Sequence, residues 1–168
     1  MRDVTERIFK GAISVFAEVT LYRRFSTKEN LFITVIKNVL EKKFHSHVLE
    51  MAKERDTEKF FINIIDDRLN ILAKNYDLVK MLLSESLRGN LTNEINLPEI
   101  IFSSLKKGLE FHFKQKNQTV DIEFCARQLG GIFLSYVVLP NGEQFNKLTK
   151  VEKQIIAKKH AKALLVSI

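Results

Sequence analysis

Catalysis or metal binding needs titratable side chains brought onto one face or into one loop, and this chain spaces few of them for it. His45 and His47 lie two positions apart, so on a helix they point to different faces and make poor joint ligands. Glu41 and His45 stand at i, i+4, a pair that is more often a surface contact than a site. Asp66-Asp67 is not a catalytic dyad by sequence alone. Cys125 is the only cysteine, which excludes an internal disulfide and a cysteine-only metal site. It lies in an apolar stretch, where a thiol is inert. The sequence holds no G-x-S-x-G, H-E-x-x-H, P-loop or G-x-G-x-x-G pattern. The reading is a chain with no catalytic residues, no metal and no cofactor, and it is not an enzyme.

The elements that would position any site are helical. Gly 6 and Pro 2 in 168 residues are too few for a chain of short strands and frequent turns. Val4, Ile8, Ala12, Val15 and Phe16 form one apolar stripe. Ser26 and Glu29 make a capping box ahead of Leu31, Phe32, Val35, Ile36, Val39, Leu40 and Phe44, in a helix expected to reach about Lys53. Asp56 or Thr57 caps the next helix, Asn75 and Asp77 mark a joint, and Arg88-Gly89-Asn90 closes a shorter helix over Leu78 to Leu87. A helix is predicted from Glu99 to Lys116 after Pro98, another from Asp121 to about Leu139, and a last one from Thr149 to near Ile168. The expected fold is therefore all-α. The best boundary lies inside the long helix around Phe44 to Lys53 and divides a basic piece, residues 1–45, from a larger apolar bundle, residues 46–168.

Charge and length narrow the function class. Twenty-seven Lys/Arg against twenty Asp/Glu leave a net +7, which favours a polyanionic partner such as nucleic acid or an anionic membrane surface. The excess is denser at the start, where residues 1–45 carry nine basic and five acidic side chains. The apolar run Leu129 to Pro140 is shorter than the roughly 20 residues of a membrane span. The first residues contain early acids and no apolar core of a signal peptide. The expectation is a cytoplasmic protein with no membrane partner.

Two stretches of the first third are specific together: Ile8-Phe9-Lys10-Gly11-Ala12-Ile13-Ser14-Val15-Phe16-Ala17-Glu18, and Thr20-Leu21-Tyr22-Arg23-Arg24-Phe25-Ser26-Thr27-Lys28-Glu29-Asn30-Leu31. At these residues the chain resembles TetR-family transcriptional regulators. The Tyr-x-x-Phe-x-x-Lys-Glu spacing is the strongest part of the likeness. The resemblance implies a helix-turn-helix head over residues 1–45, a ligand-binding and dimerisation bundle over residues 46–168, and a double-stranded DNA operator as partner. It also implies phosphate contacts from Thr20, Tyr22 and Lys28, which set position and salt dependence rather than sequence choice. The pattern departs from the family between the two stretches. There the family has roughly twenty residues forming the second helix, the turn and most of the recognition helix. Here Glu18 runs straight into Val19, a gap near residues 17–19. A true loss would splice two surface ends over a stripped core, so the expectation is a segment absent from this sequence but present in the protein. The base-reading residues are missing with it.

The remaining helices read as a bundle with a cavity for a small apolar or aromatic effector. Candidate lining residues are Phe60, Ile64, Met81, Glu85, Phe102, His112, Phe124, Phe133 and Tyr136. For any single phenylalanine, plain core is the commoner role. The segment 129–139 is apolar nearly all round, and Gly130-Gly131 weakens a helix but lets backbones approach closely. The last helix carries Val151, Ile155, Ile156, Ala163, Leu164 and Val166 on one side and a solvated lysine face elsewhere. Family members pair through these two helices. The expected homodimer contacts are Gly130, Phe133, Leu134, Val137, Ile155, Ile156 and Leu164. Function reads as a ligand-responsive regulator, a repressor released from its operator by the effector. The alternative is a dimeric small-molecule-binding or interaction protein without a working DNA-binding head.

Overall fold

The computed structural model describes residues 34–38, 43–89 and 95–168, and among these residues there is helix and no strand. The elements are α1 (His45–Met51), α2 (Thr57–Lys74), α3 (Tyr76–Leu87), α4 (Leu97–Lys114), α5 (Ile122–Val138), a 3₁₀ helix (Gly142–Lys147) and α6 (Lys150–Val166). Residues 34–37 are also helical. None of the described helices is long and apolar enough to cross a membrane.

Local chemistry sets the starts. Asp56 stays extended and accepts the Lys59 backbone N–H at 2.9 Å, which also holds its carboxyl below the usual range. Asp121 likewise accepts the Phe124 backbone N–H at 2.9 Å. Thr149 and Glu152 form a reciprocal box, each side chain taking the other's backbone N–H. The fourth helix begins two residues earlier than the proline alone suggests, because Asn96 caps it on the Glu99 N–H and Leu97 is buried. Its end comes at Lys114, with Asn117 beyond it in the left-handed region at φ 52°. The Ser26–Glu29 box and the stripe from Val4 to Phe16 lie outside the described residues.

The middle of the bundle is α2, with Phe60, Phe61, Ile64, Ile65 and Leu69 buried. It packs most extensively on α6, whose inward face is Ala157, Ala161 and Leu164, small enough for a close approach. Leu105, Leu109 and Phe113 of α4 and Cys125, Ala126, Leu129 and Phe133 of α5 complete the main core. On the other side, α1 rests against α4 through Val48, and Gly108 makes the fit: a Cβ there would lie 2.5 Å from Val48 Cγ1. Val48 lies in the main core and Phe44 packs against it, so the helical run in which the boundary was expected rests on the body. A smaller cluster of Ile36, Leu82, Ile95 and Leu97 ties residues 34–38 to α3 and the start of α4.

The 3₁₀ helix is an element that periodicity did not foresee. Asn141 turns the chain at φ 68°, and Gly142 then doubles back against the end of α5. A Cβ on Gly142 would sit 1.7 Å from the Tyr136 carbonyl oxygen, so only glycine fits. The reward is burial of Phe145 edge-on to the Tyr136 ring, with centroids 5.7 Å apart.

Candidate functional site

The nine candidate pocket residues do not converge on one place. Phe60, Ile64, His112 and Phe133 are buried in the main core, and Phe102 and Tyr136 pack half-buried against it. Met81 belongs to the smaller cluster. Glu85 is half-buried on α3, 3.7 Å from Arg88. Phe124 is a correction: it is 43% exposed, on the outer side of α5. With about 100° of turn per residue, Phe124 falls opposite Leu129 and Phe133, which point inward.

His112 is the best-defined polar centre. Its ring lies parallel to Phe60 with centroids 4.4 Å apart and meets Phe113 edge-on at 5.2 Å. Nδ1 is 3.2 Å from the Ala52 carbonyl oxygen, an atom that can only accept, so Nδ1 carries the proton. Nε2 is then an acceptor for the Thr57 hydroxyl at 3.0 Å, and that hydroxyl in turn accepts from Lys116 Nζ at 2.8 Å. Every polar atom in this chain of bonds has a partner inside the protein, so His112 serves as a tie between α4 and the α1–α2 turn. Burial first, and the Lys116 charge after it, push His112 below its ordinary value of 6.5.

The sign of the resulting pH dependence follows. The unfolded chain takes up a proton at His112 before the folded chain does, so the stabilisation is complete above about pH 6.5 and declines as the pH falls toward the lowered folded value. His160 moves the same way, because burial lowers it too. The urea midpoint is expected to drop between about pH 7.5 and about pH 5.5, with His112→Gln flattening the drop. An unchanged or higher midpoint in acid would contradict this.

Tyr136 is likewise satisfied within the chain. Its hydroxyl shares a hydrogen bond of 3.2 Å with His160 Nε2, and burial pushes the phenol up and the imidazole down, which favours the neutral form of both. Sequence reasoning missed His160 because its partner comes from another helix. It also missed Arg68, a buried guanidinium that binds Asp67, lies 2.7 Å from His47 Nδ1 and stacks 5.0 Å from the Phe44 ring centroid. His47 and Asp67 are thereby committed to Arg68. Cys125 is fully buried, and burial lifts its thiol to about 12, far from thiolate chemistry.

The residues expected to pair two copies divide into three groups. Phe133, Val137 and Leu164 are buried in the chain's own core and are corrected to that role, since they lie on the inward arcs of α5 and α6. Gly130 and Ile156 are half-buried. Leu134 and Ile155 are 48% and 50% exposed. Around them the outer surface of α5 carries Phe124, Gly131 and Val138, seven residues or two turns apart, and α6 adds Val151 and Val166. Gly131 stands in the middle of that exposed face, and a Cβ on either Gly130 or Gly131 would meet nothing within 4 Å. The solvated lysine face holds for Lys150, Lys158, Lys159 and Lys162, but Lys153 bonds Asn70 Oδ1 at 2.9 Å and covers the Phe145 ring.

Thr20, Tyr22 and Lys28, with the junction at residues 17–19, lie outside the described residues. No protein-family model, no curated protein and no solved structure matches this chain.

Proposed function

We propose that this chain is a dimeric, ligand-responsive DNA-binding regulator of the TetR type, acting as a repressor. The observation that carries the reading is the outer face of α5 and α6. Phe124, Leu134 and Val138 of α5, and Val151, Ile155 and Val166 of α6, leave apolar area in water. Gly131 sits at the centre of the α5 face, and among the described residues nothing lies within 4 Å of where its Cβ would be. An interior helical glycine costs about 0.5–1 kcal/mol relative to alanine, so a neighbour from a second copy supplies the reason for it. In the proposed dimer two α5 helices cross at Gly131 and α6 flanks them, a paired bundle like that of the resembled family.

The two heads, residues 1–45, then present Thr20, Tyr22 and Lys28 to phosphates at half-sites about one helical turn apart. An apolar effector would enter near the margin of the two clusters, where half-buried Ile101 packs against both and Met81 against the smaller one. Binding there would shift α3 against α4 and change the spacing of the heads, so that both no longer fit the operator. The cytoplasm is the matching compartment.

Genomic fragments incubated with the full chain test this. Retention in a gel at low salt and release at high salt is the expected result. One observation favours a second reading, a dimeric binding protein without a working head: the recognition segment is missing between Glu18 and Val19. No retention at low salt would select that reading.

A further inference from the structure

We propose that one edge of α6, the row Lys150, Gln154, Lys158 and Lys162, is a second contact for the phosphate backbone of double-stranded DNA. The row belongs to the bundle and needs nothing from residues 1–45. Steps of four residues place these side chains about 6 Å apart along the helix axis. All four are exposed. An ammonium only donates, and the glutamine amide has two N–H groups to give. Among the described residues, none of the four has a hydrogen bond or ion pair. Other cations of the bundle are engaged. Lys106 and Arg127 meet Glu123 at 3.8 and 3.0 Å, and Lys153 of α6 bonds Asn70 at 2.9 Å. From residue 144 to residue 168 the sequence has a single acid, Glu152, and Thr149 already holds its carboxylate. The charge of the row is therefore left for an anion from outside the chain.

Position and chemistry select the occupant. Covering the row with a second copy would strip water from three ammoniums per chain with no free carboxylate on α6 to meet them. The geometry also leaves the row open in a dimer built on α5. His160 marks the side of α6 that meets α5, through Tyr136, and Lys158 and Lys162 lie about 160° around the helix from it. Two α5 helices can cross while this far edge of α6 stays in water. A lipid surface gains chiefly from apolar side chains, and the exposed ones on α6, Val151, Ile155 and Val166, are not in the row. A duplex supplies charge of one sign along a line, about one phosphate per 1.7 Å of its axis. A line of donors about 18 Å long finds phosphates along its whole length. Such a contact adds affinity and salt dependence and reads no base.

Anisotropy of a labelled random-sequence duplex, titrated with the full chain between about 50 and about 200 mM salt, tests the row. The triple variant Lys150→Gln, Lys158→Gln, Lys162→Gln is expected to lower the slope of log affinity against log salt by about 2–3 and to weaken binding at the lower salt by tenfold or more. All three positions are exposed, so its urea midpoint is expected to match that of the natural chain. A control, Lys74→Gln, Lys107→Gln, Lys114→Gln, removes the same charge from exposed sites on α2 and α4 and is expected to leave the slope unchanged. An equal drop in the control would overturn the proposal, because net charge alone would then explain it. An unchanged slope in the row variant, with a lower one in Lys28→Gln, would overturn the row and leave the head reading standing. The reverse pattern would support the row and count against the head. No binding of the natural chain at the lower salt would overturn both. Row-dependent binding to phosphatidylglycerol vesicles that is tighter than to the duplex would make lipid the occupant and overturn the proposal.

Discussion

Gly131→Leu is expected to weaken self-association by about a hundredfold or more while leaving the protomer folded. The two halves of that statement have opposite physical origins. Inside the protomer there is open space where the Cβ would go, and the face is exposed, so a side chain displaces only water. Alanine at the same position should even stabilise the isolated chain by about 0.5–1 kcal/mol, since it removes the entropic cost of a helical glycine. At a crossing of two α5 helices, the same side chain pushes the axes apart and strips contacts from Phe124, Leu134 and Val138 on both copies. Sedimentation over a dilution series, paired with urea unfolding of the dissociated chain, reads both effects. A leucine variant that associates as tightly as the natural chain would place any dimer elsewhere. A variant that unfolds would mean that Gly131 has a role inside the protomer.

Phe60→Ala is expected to cost about 3–5 kcal/mol of stability. Phe60 is fully buried, stacks on His112 and touches Phe61 with ring centroids 5.5 Å apart. The side chain sits among residues fixed by three helices, so the hole cannot collapse without moving the His112 ring away from Ala52 and Thr57. A domain of ordinary stability has about 5–15 kcal/mol in hand, and this loss would bring many such domains close to unfolding at growth temperature. Urea or thermal denaturation checks it. A loss below about 1 kcal/mol would mean that Phe60 lines a space already open, as the effector-pocket reading from sequence expected.

Whatever rests on a few neighbouring residues could be read directly. Asp56, Asp121 and Thr149 cap helices because an oxygen three residues ahead of a free N–H needs no help from the rest of the fold. The joint at Asn75 and the stop at Gly89, with φ 72°, are local for the same reason. The existence of the later helices followed from their apolar period. Which way a helix faces did not follow where it is apolar on every side. In α5 the sequence makes Phe124 and Phe133 look alike, and only packing against α2 and α4 sends one outward and the other inward. The 3₁₀ turn at Gly142–Lys147 was hidden because its cause is the distant contact of Phe145 with Tyr136. The His112 and His160 centres were hidden likewise, since their partners come from separate helices or turns, and so were the contacts of Arg68 with His47 and Phe44. Of the residues expected as dimer contacts, Leu134 and Ile155 are exposed. Phe133, Val137 and Leu164 were named with them because the resemblance picks out whole helices and not their faces.

The central claim is that two copies of this chain grip DNA through phosphate contacts, and its salt dependence tests that most directly. Fluorescence anisotropy of a labelled random-sequence duplex, titrated with the full chain at about 50 mM and about 200 mM salt, gives the number needed. The account predicts two chains per bound duplex and an affinity at least about a hundredfold weaker at the higher salt. Absence of binding at the lower salt, or binding indifferent to salt, would contradict it and leave a dimeric binding protein without a DNA head.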